Sequence, residues 1–296
     1  MKNEIFIRFH GGWGDEHTVR KNMLRYSKDG KGNWGSIKTD IPYSTSADYL
    51  VLVNHPFESI QFDPKKIIYF FYEPEDTRKF WGFFKNPKGY FHSHKICFPC
   101  WYLESSYQDL INLSPIKTEI MSGVISGKTI SPEGIMREGR QLRLNFIQKL
   151  DKTNFYTHFG ATQPNNNILQ SLKNYKGRLK KKEDGLFPFK YTFAAENGYE
   201  INYLTEKIYD AILSECLCFY AGCPNINDFI DERAYIPIDL KNQKKAMNIV
   251  KESIENKEWE KRIDIIKSEK KRILNEIQIY PLLEKIIKER NKNEII

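Results

Sequence analysis

FKYTFAAENGYEINYLTEKIYDAILSECLCFYAGCPNINDFIDERAYIPID, residues 189–239, is the stretch whose reading decides the fold. It opens on a β-rich run (Tyr191, Thr192, Phe193) that ends in a polar turn, Glu196-Asn197-Gly198. Tyr203-Leu204-Thr205-Glu206-Lys207 then starts a helical pattern, with Thr205 in the N-cap position and Ile208, Ala211 and Ile212 on one face. Cys216–Tyr220 is a short apolar run that stops at Ala221-Gly222-Cys223-Pro224. Strand, turn, helix, strand, turn is the repeating unit of α/β nucleotide-binding domains. A helix N-terminus presents unbonded N–H groups and the positive end of a dipole, which suits a phosphate. Lys207 adds a full positive charge there, and Glu206 is a carboxylate able to accept ribose hydroxyls. The alternative is that these are ordinary first-turn charges beside a packing tyrosine.

Working outward, Arg140–Leu150 (RQLRLNFIQKL) reads as an amphipathic helix with Leu142, Phe146, Ile147 and Leu150 inward. Asn154–Gly160 reads as a strand closing on a glycine turn. Asn165–Asn167 and the lysine run Lys180–Lys182 read as polar loop, the lysines as solvated surface. Toward the N-terminus, residues 4–9 alternate as a first strand, and Gly11–Gly14 is a tight turn with Asp15 capping a helix through Leu24. Residues 27–36 read as loop. Tyr49–Val53 and Ile67–Tyr72 are short continuous apolar runs, the mark of strands covered on both faces. The first ends at Asn54-His55-Pro56. The second delivers Glu73-Pro74-Glu75-Asp76 to a strand C-terminus, where open α/β sheets keep their working groups.

The quoted motifs resemble the donor-binding signature of the α-1,3-fucosyltransferases, glycosyltransferase family 10, in their bacterial form. The resemblance rests on Glu196-Asn197, Tyr203–Lys207 and Phe219–Pro224, and extends to Trp13-Gly14-Asp15-Glu16. Ala195 departs from the family's Phe, and Leu204 from its β-branched residue. The resemblance implies two Rossmann-like domains facing across a cleft, the GT-B arrangement, with a helical C-terminal tail. The boundaries drawn are 1–117 for the acceptor side, 118–258 for the nucleotide sugar, and 259–296 for the tail. It also implies inverting transfer of L-fucose from GDP-β-L-fucose to a GlcNAc- or glucose-containing glycan, for surface polysaccharide or lipopolysaccharide. By the same resemblance Glu73 is the general base, with Glu75 and Glu16 as alternatives. Arg143 meets the pyrophosphate, with Arg140 and Arg137 as alternatives. Asn197, Tyr203, Glu206 and Lys207 hold the donor, with Glu196 beside them.

Composition sets the outer bounds. A 296-residue chain with 40% hydrophobic and 14% aromatic residues is long and apolar enough for two packed cores. The formal net charge of +8 fits an anionic ligand, an anionic membrane surface or nucleic acid. Basic residues are dispersed among acids and no nucleic-acid motif appears, so a basic nucleic-acid-binding protein is the rival of another class; the rival within the class is a related transferase for another GDP- or UDP-sugar. Five cysteines without a regular framework argue against a disulfide scaffold. His92, His94, Cys97 and Cys100 are poorly spaced for zinc. Ser126-Gly127-Lys128-Thr129 lacks a P-loop's first glycine, since Gly123 stands one position late. No DxD motif sits at a strand end, so the expectation is no required metal, with divalent-cation stimulation allowed. No signal sequence or spanning run is visible, giving a cytoplasmic expectation. After Asp239 the chain is helical, with stripes at Met247, Val250 and Ile254 and at Trp259, Ile263 and Ile266. A last basic amphipathic helix carries Leu282, Leu283, Ile286 and Ile287, and raises peripheral contact with the inner membrane.

Overall fold

The computed structural model describes residues 4–11, 16–39, 47–54, 62–80, 97–128, 134, 138–162 and 168–293. The chain divides into two compact units. Unit 1 is 1–100, 105–112 and 274–296; unit 2 is 101–104 and 113–273. The sequence-based tail 259–296 is therefore shared, 259–273 with unit 2 and the rest with unit 1.

Unit 1 contains strands β1 (Ile5–Gly11), β2 (Asn33–Trp34), β3 (Ile37–Thr39), β4 (Tyr49–Val53) and β5 (Ile67–Phe70). Its helices include α1 (Glu16–Leu24), α2 (Glu75–Phe80) and α3 (Tyr107–Asn112). The sheet runs β2-β3-β1-β4-β5, parallel except for the β2–β3 hairpin. That hairpin corrects the expectation of loop over 27–36. Asp29 shapes the turn before it by accepting from the backbone N–H of Lys31 and Asn33 at 2.8 and 3.1 Å, and Gly35 supplies a φ of 56° at its tip. Leu50, Val51, Leu52 and Val53 are all buried, as a parallel central strand requires.

Unit 2 contains β6 (Glu119–Val124), α4 (Glu138–Leu150), β7 (Tyr156–Phe159), β8 (Phe189–Ala195), α5 (Glu206–Leu213), β9 (Leu217–Ala221), β10 (Tyr235–Pro237), α6 (Gln243–Glu255) and α7 (Glu258–Arg272). Its sheet runs β10-β9-β8-β6-β7, wholly parallel. From β6 the chain passes to β7 on one side and returns to β8 on the other. The switch point therefore lies between the C-terminal ends of β6 and β8, where doubly wound sheets bind ligands. The α/β reading of 189–221 is observed, from β8 through α5 to β9.

Helix α4 turns its stripe differently from the reading. Arg140, Arg143, Leu144, Phe146, Ile147 and Leu150 are buried, whereas Leu142 is only half-buried. Both arginines thus sit on the inward face.

A π-helical stretch, Ile273–Ile277, leads from α7 into α8 (Ile279–Asn293). Pro281 falls in the first turn of α8, where its missing N–H costs no helical bond, so it does not break the helix. The apolar face of α8 belongs to the core of unit 1: Tyr280, Leu283 and Ile287 are buried there. The Tyr280 hydroxyl meets Thr39 Oγ1 at 2.7 Å, its ring stacks on Trp34, and Gln278 donates to Tyr26 O. The face expected to touch a membrane is thereby occupied by the fold. Among the described residues no helix is long and apolar enough to cross a membrane.

Candidate functional site

The C-terminal edge of the unit 2 sheet collects the motif residues around one carboxylate. Glu196 follows β8, and its backbone N–H donates to Ala221 O at 2.8 Å, continuing the β8–β9 ladder. Its side chain is fully buried. It accepts from Thr205 N at 2.8 Å, Thr205 Oγ1 at 2.7 Å, Lys207 Nζ at 3.0 Å and Tyr220 Oη at 3.3 Å. Charge-assisted bonds of this kind are the strong ones. A carboxylate so occupied organises the loop and leaves little capacity for a ligand. Gly222 is required by the same packing: a Cβ there would meet Glu196 Cγ at 2.5 Å and the Tyr220 hydroxyl at 2.6 Å.

Thr205 holds the N-cap position of α5, but its hydroxyl is drawn to Glu196 and does not cap the helix. The first-turn N–H groups of α5 are consequently not capped by that side chain, the condition in which a helix N-terminus serves an anion. Lys207 lies there, bonded to Thr205 Oγ1 at 2.8 Å and paired with Glu206 Oε1 at 3.2 Å. Burial works against its charge, and Glu196 and Glu206 outweigh burial to raise its pKa above the ordinary lysine value. Glu206 is buried at the first position of α5, where its negative charge suits the dipole.

Arg143 reaches the same edge from α4. It is 3% exposed. Its Nη1 donates to Asn197 Oδ1 at 2.9 Å and approaches Ala195 O at 3.5 Å, and its Nε has no hydrogen-bond partner. Burial, with help from neighbouring Arg140, pulls its pKa down to about 10 against the opposing pull of Glu196, Tyr203 and Glu206. Arg143 is thus a buried guanidinium held at Nη1 by Asn197, with its Nε edge unengaged. Gly139 at the start of α4 lets the backbone of Asn197 come close, since a Cβ there would meet Asn197 O at 3.2 Å.

Of the sequence candidates, the structure brings together Arg143, Asn197, Glu196, Glu206 and Lys207. Tyr203 is 1% exposed and belongs to the core beside them. Arg140 is buried one turn before Arg143 on α4. Glu73, Glu75 and Glu16 belong to unit 1. Glu73 follows β5, half-buried, and its backbone N–H points to Asn54 Oδ1 at 3.3 Å. Asn54 also accepts from Tyr72 N at 2.7 Å and has a left-handed φ of 60°. Glu75 is exposed at the first position of α2. Glu16 starts α1, and its side chain, like Trp13, Asp15, His92, His94 and Arg137, lies outside the described residues. Cys97 and Cys100 are buried free thiols.

Two residues beside the cluster stand out only in the structure. Lys182 is no solvated lysine: its Nζ pairs with Asp210 Oδ2 at 2.5 Å, and the Asp210 side chain is 1% exposed. Burial opposes the charge of Lys182, and Asp210 with Glu206 raises its pKa nonetheless. Asp210 follows Lys207 by three residues on α5, the spacing that places two side chains on one helix face. That spacing was the available signal.

No protein-family profile matches the chain, and no curated protein sequence matches it. Solved structures do. An α1,3-fucosyltransferase crystal structure superposes with a TM-score of 0.53 at 16% identity, covering 89% of this chain and 82% of that one. The fold is that of the GT-B glycosyltransferases. A glycosyltransferase from Rickettsia africae gives a TM-score of 0.54 at 10% identity, over 97% of both chains. Anabaena HepE, solved in complex with UDP-glucose, gives 0.50 at 9% identity, over 97% of this chain and 99% of that one.

Proposed function

We propose that this chain is an inverting glycosyltransferase that moves L-fucose from GDP-β-L-fucose to a GlcNAc- or glucose-containing glycan, through an α-1,3 or α-1,4 linkage. The observation that carries the reading is the buried Arg143, its Nε unengaged, converging with Lys207 at the switch point of the unit 2 sheet. A diphosphate brings negative charge to both cations, and a guanidinium with an unengaged Nε edge offers it directed donors. The motif Glu196-Asn197…Tyr203–Lys207 adds GDP-fucose to that chemistry by its resemblance to the fucosyltransferases, one of which shares the fold.

In this reading the reaction is a single in-line displacement. The acceptor hydroxyl oxygen bonds to the anomeric carbon as the bond to the β-phosphate oxygen breaks, and Glu73 takes the hydroxyl proton. Arg143 and Lys207 meet the charge that grows on departing GDP. Glu206 accepts from the ribose hydroxyls, and Asn197 holds Arg143 in register. Because these side chains supply positive charge to the leaving group, this reading requires no divalent cation, and it is compatible with stimulation by one.

A second reading, a GT-B transferase for another nucleotide sugar, is favoured by Ala195, which is buried at the site where the fucosyltransferase signature has Phe. A nucleic-acid partner fits the site less well, because Arg143 and Arg140 are buried and offer no exposed stripe to a polymer backbone.

The test is thermal stabilisation by GDP, GDP-fucose, GDP-mannose and UDP-glucose, followed by product analysis with fucose acceptors. GDP and GDP-fucose should raise the melting temperature, and Glu206→Ala should remove most of the effect. A protein indifferent to every guanine nucleotide would sink the proposal; stabilisation by UDP-glucose alone would transfer it to the second reading.

A further inference from the structure

Between the C-terminal ends of β6 and β8 lies a cavity of about 20 Å³, walled by Ile125 and Ala194 and closed by Lys182, Lys207 and Asp210. Its size admits about one water-sized group. It sits at the switch point and shares Lys207 with the cluster assigned to the diphosphate. A group that fills it while the diphosphate rests on Lys207 must therefore lie close to the phosphates.

The polar wall defines what that group is. The Lys182 ammonium has three protons, and its hydrogen bond is to Asp210. Asp210 accepts from Lys182 at Oδ2 and from the backbone N–H of Tyr102 at Oδ1, at 2.7 Å, which fixes the carboxylate and leaves it acceptor capacity. The pair thus offers a donor and an acceptor side by side. A phosphate oxygen accepts only, and would face the negative charge of Asp210. A hydroxyl both donates and accepts, and carries no charge to be repelled.

We propose that Lys182 and Asp210 form a hydroxyl-reading subsite for the transferred sugar, Lys182 donating to one of its hydroxyls and Asp210 accepting from it. The pair then sets selectivity among donor sugars and leaves the affinity for the nucleoside diphosphate to Arg143 and Lys207. The proposal rests on the donor-site reading above.

The experiment compares affinities of GDP and of GDP-fucose, GDP-mannose and UDP-glucose for the full chain by calorimetry. The double variant Lys182→Gln/Asp210→Asn removes both charges at constant net charge and nearly constant volume. It should leave GDP binding within about threefold and weaken the best-bound nucleotide sugar about 10- to 100-fold, the range for losing hydrogen bonds to charged groups. Lys182→Met, judged by the same ratio of GDP to nucleotide-sugar affinity, serves if the double variant does not fold. Equal losses for GDP and the nucleotide sugar would overturn the subsite, as would an unchanged preference among sugars, each with the donor site intact. A wild-type chain that binds GDP and no nucleotide sugar would do the same. Wild-type protein that binds no nucleotide at all would overturn the donor-site reading, and the subsite with it.

Discussion

The two units share a plan and differ in where they bury charge. Each has a parallel sheet whose chain reverses direction of growth beside its first strand. Among the described residues, the buried polar side chains of unit 1 are uncharged: Ser27, Thr39, Asn54, Thr77 and Gln278. Unit 2 buries charged side chains, and two groups of them contrast. One is closed: Glu215 and Lys270 pair at 3.0 Å, and Lys270 also donates to Leu113 O. The other is open, at the sheet edge, where Arg140, Arg143 and Lys207 stand beside Glu196 and Glu206. Burying a charge costs several kcal/mol unless partners offset it. A closed pair accounts for itself within the fold. An open cluster, with the Arg143 Nε unengaged, has a donor left for an anion.

That contrast can be broken most sharply from unit 1. Glu73→Gln should lower kcat by about 10²–10⁴-fold, the usual contribution of a general base, while GDP affinity stays nearly unchanged. Loss of GDP binding in this variant would show that the units do not divide the labour as argued. A fully active Glu73→Gln would move the base to Glu75, Asp76 or Glu16. The next effect is on stability. Glu196→Ala leaves Lys207 and Thr205 without their buried acceptor and should cost about 3 kcal/mol in urea unfolding, the lower end for breaking a buried pair. Glu75→Gln, at an exposed helix start in unit 1, should stay within about 0.5 kcal/mol. Equal costs for the two would erase the distinction between the units. Smaller again, Arg143→Ala and Lys207→Ala should each lose about 2 kcal/mol of transition-state stabilisation in kcat/KM. A crippled Arg140→Ala beside an active Arg143→Ala would place the anion one turn earlier on α4.

Local patterns explain which parts of this molecule were legible in its sequence. β8, α5 and β9 were readable because apolar runs, a polar turn and a Thr N-cap fall within about thirty residues. Arg143 was readable as a helix residue, but its inward direction was not. The local pattern puts Leu142 on the apolar stripe, and only tertiary packing shows that the helix is rotated to bury both arginines. Glu196 looked like one ligand among several, because no local rule reveals that Thr205, Lys207 and Tyr220 all converge on it. Lys182 was hidden by its neighbours. A run of three lysines reads as solvated surface, and the partner that buries the third lies 28 residues away on α5. The β2–β3 hairpin was missed because Asp29 and Gly35 make a turn inside a stretch whose composition is that of a loop.

A further expected effect concerns a buried group of unit 2 that takes no part in the site. His158 on β7 is fully buried. Its Nδ1 meets the Tyr156 hydroxyl at 2.8 Å and its Nε2 meets Ile125 O at 3.0 Å, a set satisfied by the neutral ring with its proton on Nε2. Burial lowers its pKa to about 4, against the pull of the Ile125 carbonyl and of Asp151. The unfolded chain takes up this proton near pH 6.5 and the folded chain near 4, so the contribution is complete above 6.5 and is lost as pH falls between those values. At pH 5.5, one unit below the unfolded pKa, the loss should be about 1.4 kcal/mol relative to pH 7.5. His158→Gln, which does not titrate, should unfold in urea with a flatter pH dependence over that window. An identical slope in the variant would mean that the proton enters the folded state as readily as the unfolded one. The neutral Tyr156–His158–Ile125 bridge would then not be what holds the ends of β6 and β7 together beneath the switch point.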